Sequence, residues 1–344
     1  MGNRGSLWPK CDRLSIEVTT YCNSSCSHCF VRARGRRRSS LAPDLVRAMV
    51  REGYEAGYRH LHFTGGEPLM WNGLQSIFDY AFALGYETAF LNTNGTLLTG
   101  KVSRKLAAYS GLSISVSLQG PRRHHDLIRG KGLYDRAWKG IDKALDASLP
   151  VHIFTTVGKS MIPDLPRFAE RLFGTYPGIE QLTFIQLIRV PEDIFDLSKE
   201  VLSPDDFLRL VRTISLLNLY GLKVDLLNNP LAGAACRILK MPWVRRSSPL
   251  YRPGSIMITA QKHITLAHST ENHFGIYKPG ILHSVLSSSE YRGAVSQDRL
   301  VCRNCVYSHI CRIEGMLRPS EWYRDMFQQV PYCKRVLAKA SSYG

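Results

Sequence analysis

Tyr21-Cys-Asn-Ser-Ser-Cys-Ser-His-Cys-Phe30 decides how this chain is read, because it directly follows the apolar run Leu14-Ser-Ile-Glu-Val18. Cys22, Cys26 and Cys29 are spaced C-x3-C-x2-C, one thiolate short of a closed four-ligand site. A cubane iron–sulfur cluster held by three thiolates keeps one iron open, and an open iron can bind a substrate or cofactor. Zinc completed by His28 or by a distant residue is the competing reading of the spacing alone.

Outward from this stretch, short β-branched runs alternate with longer amphipathic ones. Strands are expected over 14–19, 60–63, 88–92, 113–118, 151–157 and 182–188. Helices are expected over 44–56, 73–84, 101–109, 134–147, 165–173 and 204–220, with Asp164 and Ser203 as N-caps of the last two. Gly57, Gly85 and Gly111 stand where helices should stop. Six βα units in a row predict an α/β fold, either a partial barrel or an open doubly wound sheet. In both, chemistry gathers at the C-terminal ends of the strands. The cysteines follow strand one, and Gly65-Gly-Glu-Pro68 follows strand two.

After Asn228-Asn-Pro230 the rhythm breaks, which divides the chain into domains over 13–230 and 231–344. The second part is rich in turns, with one hairpin expected over 255–260 and 263–267. It looks short of core, a situation that calls for a metal or cluster staple.

The formal charge of +17 favours an anionic partner: an acidic peptide, a phosphorylated or carboxylate-rich small molecule, or nucleic acid. The densest basic run is Arg32-Ala-Arg-Gly-Arg-Arg-Arg38. No aromatic residues interleave with it, so nucleic acid is the lesser reading. No apolar stretch approaches the length of a membrane span and no signal-peptide pattern opens the chain. Nine cysteines, several grouped as C-x2-C, read as ligands in a reducing cytoplasm and not as disulfides.

Two further motifs keep this order. Leu91-Asn-Thr-Asn-Gly95 follows strand three, and Ser115-Val-Ser-Leu-Gln-Gly120 ends strand four. With them the first two thirds of the chain resembles the radical S-adenosylmethionine (SAM) superfamily. The resemblance implies a partial (βα)6 TIM-like barrel. It also implies a [4Fe–4S] cluster on Cys22, Cys26 and Cys29 whose open iron chelates SAM. Reductive cleavage of SAM then gives methionine and a 5′-deoxyadenosyl radical that abstracts a substrate hydrogen, while the protein orients the reactants and excludes water.

By the same resemblance Phe30 covers the cluster, and Gly65, Gly66 and Glu67 meet the SAM amino group, glycine admitting close backbone approach. Asn92, Thr93 and Asn94 become ribose contacts. Ser115, Ser117 and Arg129 face the ribose or the SAM carboxylate, where a guanidinium can bind in bidentate fashion. Backbone near Leu187 meets the adenine. Relatives often have Ser-Leu-Asp-Gly where this chain has Ser117-Leu-Gln-Gly120, which leaves Gln119 without an assigned role.

A second cysteine group, Cys302-x2-Cys305-x5-Cys311 and then Cys333, makes a closed site suited to zinc or to a fully ligated cluster. Its spacing resembles the small, cysteine-rich α+β SPASM extension of radical SAM enzymes, which holds an auxiliary [4Fe–4S] cluster. Ligands for a second auxiliary cluster are missing around Gly315, at Tyr251-Arg-Pro-Gly254 and near Ala267-His268, so one auxiliary cluster is expected. Cys236 is left over, as a small core residue or as a hydrogen-atom donor to a substrate radical. Cys11 is expected in the core, and His124 and His125 on a loop beyond strand four.

The resemblance implies a flavodoxin- or ferredoxin-type electron donor and three substrate classes. These are a ribosomally made peptide, a small sugar or aminocyclitol (dehydrogenated or epimerised), and the carboxylate side chains of a tetrapyrrole. No leader-binding domain is expected ahead of residue 13. A non-catalytic zinc protein that binds nucleic acid is the rival from a different class; it predicts a colourless protein, whereas clusters absorb broadly near ~400 nm.

Overall fold

The computed structural model of the chain describes residues 13–29, 31, 38–187, 197–227, 229, 230–241, 254–266, 273–295, 304–308, 311 and 332–343. Phe30, Cys302, Cys11, residues 251–253, Ala267, His268 and Gly315 lie outside the described residues.

Alternating β-branched residues build a parallel sheet of β1 (Arg13–Thr19), β2 (His60–Gly65), β3 (Thr88–Thr93), β4 (Leu112–Ser117), β5 (Val151–Val157), β6 (Gln181–Gln186) and β7 (Val224–Leu226). β8 (Ile256–Ile258) adds to β1 in parallel, and β9 (Ile264–Thr265) pairs with β8 in antiparallel fashion. The order is β7-β6-β5-β4-β3-β2-β1-β8-β9, and the two end strands do not pair. The result is an open α/β partial barrel.

Helices α1 (Pro43–Glu55), α2 (Leu74–Leu84), α3 (Gly100–Ala107), α4 (Arg122–Arg129), α5 (Leu133–Asp146), α6 (Leu165–Thr175) and α7 (Pro204–Leu219) connect the parallel strands. Strand periodicity sets the two faces of the sheet. Along β5, Val151, Ile153, Thr155 and Val157 are buried, while His152, Phe154 and Thr156 point to the other, half-buried face. The buried face packs Leu14, Ile16, Phe63, Leu91, Ile114 and Leu182 into one core with the helices. Each such side chain stabilises by about 1.5–3 kcal/mol. Gly85 ends α2 at φ 107°, a left-handed conformation that glycine tolerates without strain.

Four expectations need correction. β7 is a seventh parallel strand that three residues are too short to announce. His124 and His125 are not on a loop: they are buried in α4, whose polar sequence hid it. Asp164 stands at the N-cap of α6, but its side chain makes no capping bond: its carboxylate accepts instead from Arg123 and from His124 Nε2 at 2.8 Å. The expected hairpin exists but extends the barrel sheet through β8. Ser203 does cap α7, in a reciprocal box with Asp206.

Residues beyond 230 build directly on the barrel. α8 (Pro230–Ile238) and α11 (Tyr332–Ser341) pack on α7. Glu52 of α1 accepts from Tyr277 Oη (2.6 Å), Gly280 N (2.7 Å) and Leu282 N (3.3 Å) at the start of α9 (Leu282–Ser287), which α10 (Ser289–Val295) follows. Among the described residues no helix is long and apolar enough to cross a membrane.

Candidate functional site

The cysteine loop leaves the C-terminal end of β1 and is fixed from three sides. The first support is backbone. Gly66 N donates to Thr19 O at 2.7 Å and Glu67 N to Tyr21 O at 2.8 Å, one residue before Cys22. A Cβ on Gly65 would lie 2.4 Å from Thr19 O, and one on Gly66 2.2 Å from Tyr21 O. Only glycine permits so close an approach.

The second support is Asn94. Its Nδ2 donates to Asn23 Oδ1 (2.7 Å), Ser24 Oγ (3.4 Å) and Cys22 Sγ (3.8 Å), while its Oδ1 accepts from Thr96 N and Oγ1. Asn23 in turn donates to Thr96 Oγ1 at 2.8 Å. The third support is the end of α4, where Ile128 O accepts from Ser27 N at 2.9 Å. The next residue, Arg129, brings Nη1 to 3.8 Å from Cys26 Sγ, and its Nε is buried without a hydrogen-bond partner.

Glu67 braces the frame from behind. Wholly buried, it accepts from Leu69 N (3.2 Å), Thr93 Oγ1 (2.7 Å) and Asn94 N (2.7 Å), tying the end of β2 to the end of β3. Burial raises its pKa, and those hydrogen bonds with the Arg129 charge pull against the rise. Burial also pushes the Cys22 thiol up to about 11, opposed by the Ser24 N–H and reinforced by Glu67, Cys26 and Cys29. The three thiols therefore sit within electrostatic reach of one another. Deprotonating Cys22 takes a strongly positive partner such as a metal cluster.

Among the described residues no three His, Cys, Asp or Glu side chains close on one point as a single metal ion requires. A cubane makes no such demand, since each thiolate binds a different iron. His28, between Cys26 and Cys29, is held neutral at about 3 by burial, then by Arg129 and His125, with Nδ1 buried and unpartnered. Soft donors on one loop, with a buried guanidinium nitrogen lacking a partner beside them, fit a cluster with a carboxylate-bearing ligand.

The structure gives several candidates other work. Of the side chains expected at the ribose, Thr93 donates to Glu67 and Asn94 to the cysteine loop. Asn92 and Ser115 face each other across β3 and β4, Ser115 Oγ donating to Asn92 Oδ1 at 2.6 Å. Ser117 lies half-buried on the same face beside Phe154. Leu187 is buried, and its N–H is taken by Val157 O at 3.0 Å.

Gln119 acquires a role: its Oε1 accepts from Thr156 N at 2.6 Å, while its own N–H is accepted by His125 Nδ1 at 3.1 Å. Burial, then the Arg129 charge, keeps His125 neutral at about 3, with Asp126 opposing.

Of the second cysteine group, Cys305 lies in a turn, Cys311 is buried, and Cys333 lies in the first turn of α11. Burial raises the Cys333 pKa and nearby Cys305 adds to it, so these two approach across 28 residues of chain. Cys236 is 4% exposed in α8, within the main apolar core. Sequence reasoning missed Gln186 at the end of β6, which donates to Tyr332 Oη (3.3 Å) and accepts from Asn229 Nδ2 (2.8 Å).

Residues 16–171 match the radical SAM superfamily. The chain is 32% identical to the AdoMet-dependent heme synthase of Methanosarcina barkeri over 205 residues, 58% of this chain and 56% of that protein. It is 29% identical to the mycofactocin maturase MftC of Mycolicibacterium smegmatis over 195 residues, 56% of this chain and 49% of that protein. The chain spans about half the length of the curated relatives it matches.

In fold, it is similar to anSMEcpe with bound AdoMet (TM-score 0.74, 14% identity, 96% of this chain and 92% of that one). It is also similar to Streptococcus suis SuiB bound to S-adenosylmethionine (TM-score 0.67, 16% identity, 94% and 76%). Enzymes of this superfamily bind a [4Fe–4S] cluster and SAM, the pair that the loop and its supports fit. The matched segment opens inside β1 and takes in the cysteine loop, Gly65–Glu67, Asn94 and Arg129, so residues 16–171 carry a radical SAM domain and the residues of the site lie within it.

Proposed function

We propose that this enzyme reductively cleaves SAM and abstracts a hydrogen atom from a ribosomally made peptide, with one auxiliary [4Fe–4S] cluster assisting. When bound, the cluster and SAM supply a one-electron cleavage that ends in hydrogen-atom abstraction. Cys22, Cys26 and Cys29 would hold the first cluster, and Cys302, Cys305, Cys311 and Cys333 the auxiliary one. Arg129 would pair with the SAM carboxylate through the buried Nε that no protein group engages. The glycine approach and Asn94 hold the loop in place.

What supports the peptide reading is the open sheet, whose end strands β7 and β9 do not pair with each other among the described residues, so that a long substrate could reach its largely polar face. Supporting it, one structure of SuiB was solved bound to the precursor peptide SuiA, and one of anSMEcpe with the Kp18Cys peptide. A second reading is change at a tetrapyrrole side chain, favoured by three heme synthases and one Fe-coproporphyrin III synthase among the relatives at 29–32% identity. A flavodoxin- or ferredoxin-type protein would deliver the electron in either case.

The test is anaerobic incubation of the iron-reconstituted protein with SAM, a reductant and either substrate class. The peptide reading expects 5′-deoxyadenosine with a mass change on a short acidic peptide encoded nearby, lost in Cys26→Ala. Turnover of iron-coproporphyrin alone would replace it with the second reading. In the same assay Cys236→Ala separates a packing role from hydrogen donation: a donor's loss abolishes product while 5′-deoxyadenosine still forms.

A further inference from the structure

α4 is a weak element by itself, yet its last turn carries two groups that meet the cysteine loop. At two turns it is too short to be stable in isolation. Of its two apolar side chains, Leu127 is 81% exposed and Ile128 is only half-buried. Apolar burial therefore does little to fix it.

What holds the helix is polar. The buried ring of His125 accepts the Gln119 N–H through Nδ1 at 3.1 Å. A backbone N–H can only donate, so Nδ1 carries no proton and the neutral ring has its hydrogen on Nε2. Gln119 is fixed in turn, because its Oε1 accepts from Thr156 N at 2.6 Å and so joins the ends of β4 and β5. The Tyr134 ring meets His125 edge-on at 5.7 Å, while Gly132 N and Tyr134 N donate to Asp126 and close the segment after the helix. The other tether, from Arg123 and His124 to Asp164, lies at the start of α4, where Arg123 is exposed.

Arg129 follows His125 by four residues, ~6 Å along the axis and on the same face of the helix. There Ile128 O accepts from Ser27 N at 2.9 Å and Arg129 Nη1 lies 3.8 Å from Cys26 Sγ. A continuous path thus runs from two strand ends through Gln119 and His125 to the loop. Because His125 is neutral, no second cation stands beside the guanidinium on that face.

We propose that His125 is a positioning residue for the SAM carboxylate: its bond to Gln119 N hangs α4 on the ends of β4 and β5 and so fixes where Arg129 presents its buried Nε. Gln119, which stands where relatives often have aspartate, supplies both halves of the link, its N–H to the helix and its amide oxygen to β5. The inference rests on the reading that Arg129 pairs with that carboxylate, and it adds what sets the arginine in place.

The test is SAM binding, without turnover. The iron-reconstituted enzyme is titrated anaerobically with SAM in a calorimeter. His125→Leu should weaken SAM about tenfold, the size of one charge-assisted hydrogen bond lost. His125→Asn, whose Oδ1 stands close to the place of Nδ1, should restore most of the affinity. Arg129→Gln should cost at least as much as His125→Leu, and combining the two should cost nothing further, since both act through one contact. Arg123→Ala, which breaks the exposed ion pair at the start of the same helix, should leave SAM affinity unchanged. In the iron-loaded enzyme without SAM, amide exchange at Ser27 should rise in His125→Leu and not in His125→Asn. Should His125→Leu fail to fold, His125→Gln, which offers no acceptor at the Nδ1 position, takes its place.

Parent-like SAM affinity in His125→Leu, no rescue by His125→Asn, or a full further loss in the double variant overturns the proposal while the role of Arg129 stands. Parent-like affinity in Arg129→Gln would remove the carboxylate reading itself, and the proposal with it.

Discussion

Cys22, Cys26 and Cys29 ride on a loop that the barrel fixes by backbone pairing, by Asn94 and by the end of α4. Cys305, Cys311 and Cys333 come from separate stretches: Cys305 O accepts from Ser308 N, Cys311 N donates to Tyr307 O, and Cys333 follows the buried Tyr332. The first loop is thus held by protein contacts alone, whereas a metal at the second group would join stretches far apart in sequence. Preorganisation suits the first, where a reactive ligand must be oriented. Stapling suits the second, where short helices cover little core.

The sharpest way to break this contrast is Gly66→Ala. The new methyl would lie 2.2 Å from Tyr21 O, a backbone atom that no side-chain rotation can move. The loop must shift, and a misplacement of about 1 Å is expected to cost roughly a hundredfold in SAM cleavage. Iron bound at the first site should fall with it, while circular dichroism keeps the barrel signal. Parent-like iron and cleavage would mean that the close approach does not set the loop.

Chelation gives the next largest effect. Stripping both metal sites anaerobically should raise amide exchange in α11 by at least about tenfold, because metal binding there is also folding free energy. β2 and β3 should hardly change, being pinned by Glu67 and the core. Equal loosening of β3 and α11 would erase the distinction between the two regions.

The sequence announces the preorganised half better than the stapled one, for physical reasons. Strands β1 to β6 show because alternating apolar residues face a continuous core, and the cysteine spacing shows because its ligands are local. α4 was hidden because Arg122-Arg-His-His-Asp-Leu-Ile-Arg129 is held by tertiary bonds from His125 to Gln119 and from His124 to Asp164. The bonds of Asn94 to Asn23 and Ser24 join residues 70 or more apart, which no local pattern encodes.

The smallest effect belongs to the joint between the halves. Tyr332 Oη receives Gln186 Nε2 at 3.3 Å and donates to Ser203 O at 3.4 Å, while its ring meets Phe207 edge-on at 6.1 Å. Burial raises the phenol pKa, so the hydroxyl stays neutral and available as donor and acceptor across the working pH range. Tyr332→Phe keeps the ring and removes two long hydrogen bonds. Gln186 retains Asn229 on its other side, so the expected loss is only about 1 kcal/mol of stability, read as a small drop in the denaturant midpoint. Auxiliary iron should be held slightly less tightly through neighbouring Cys333, and first-site iron not at all. If Tyr332→Phe releases iron from the cysteine loop as readily as from the second group, then the end of β6 couples the two sites, and the first is not placed by the barrel alone.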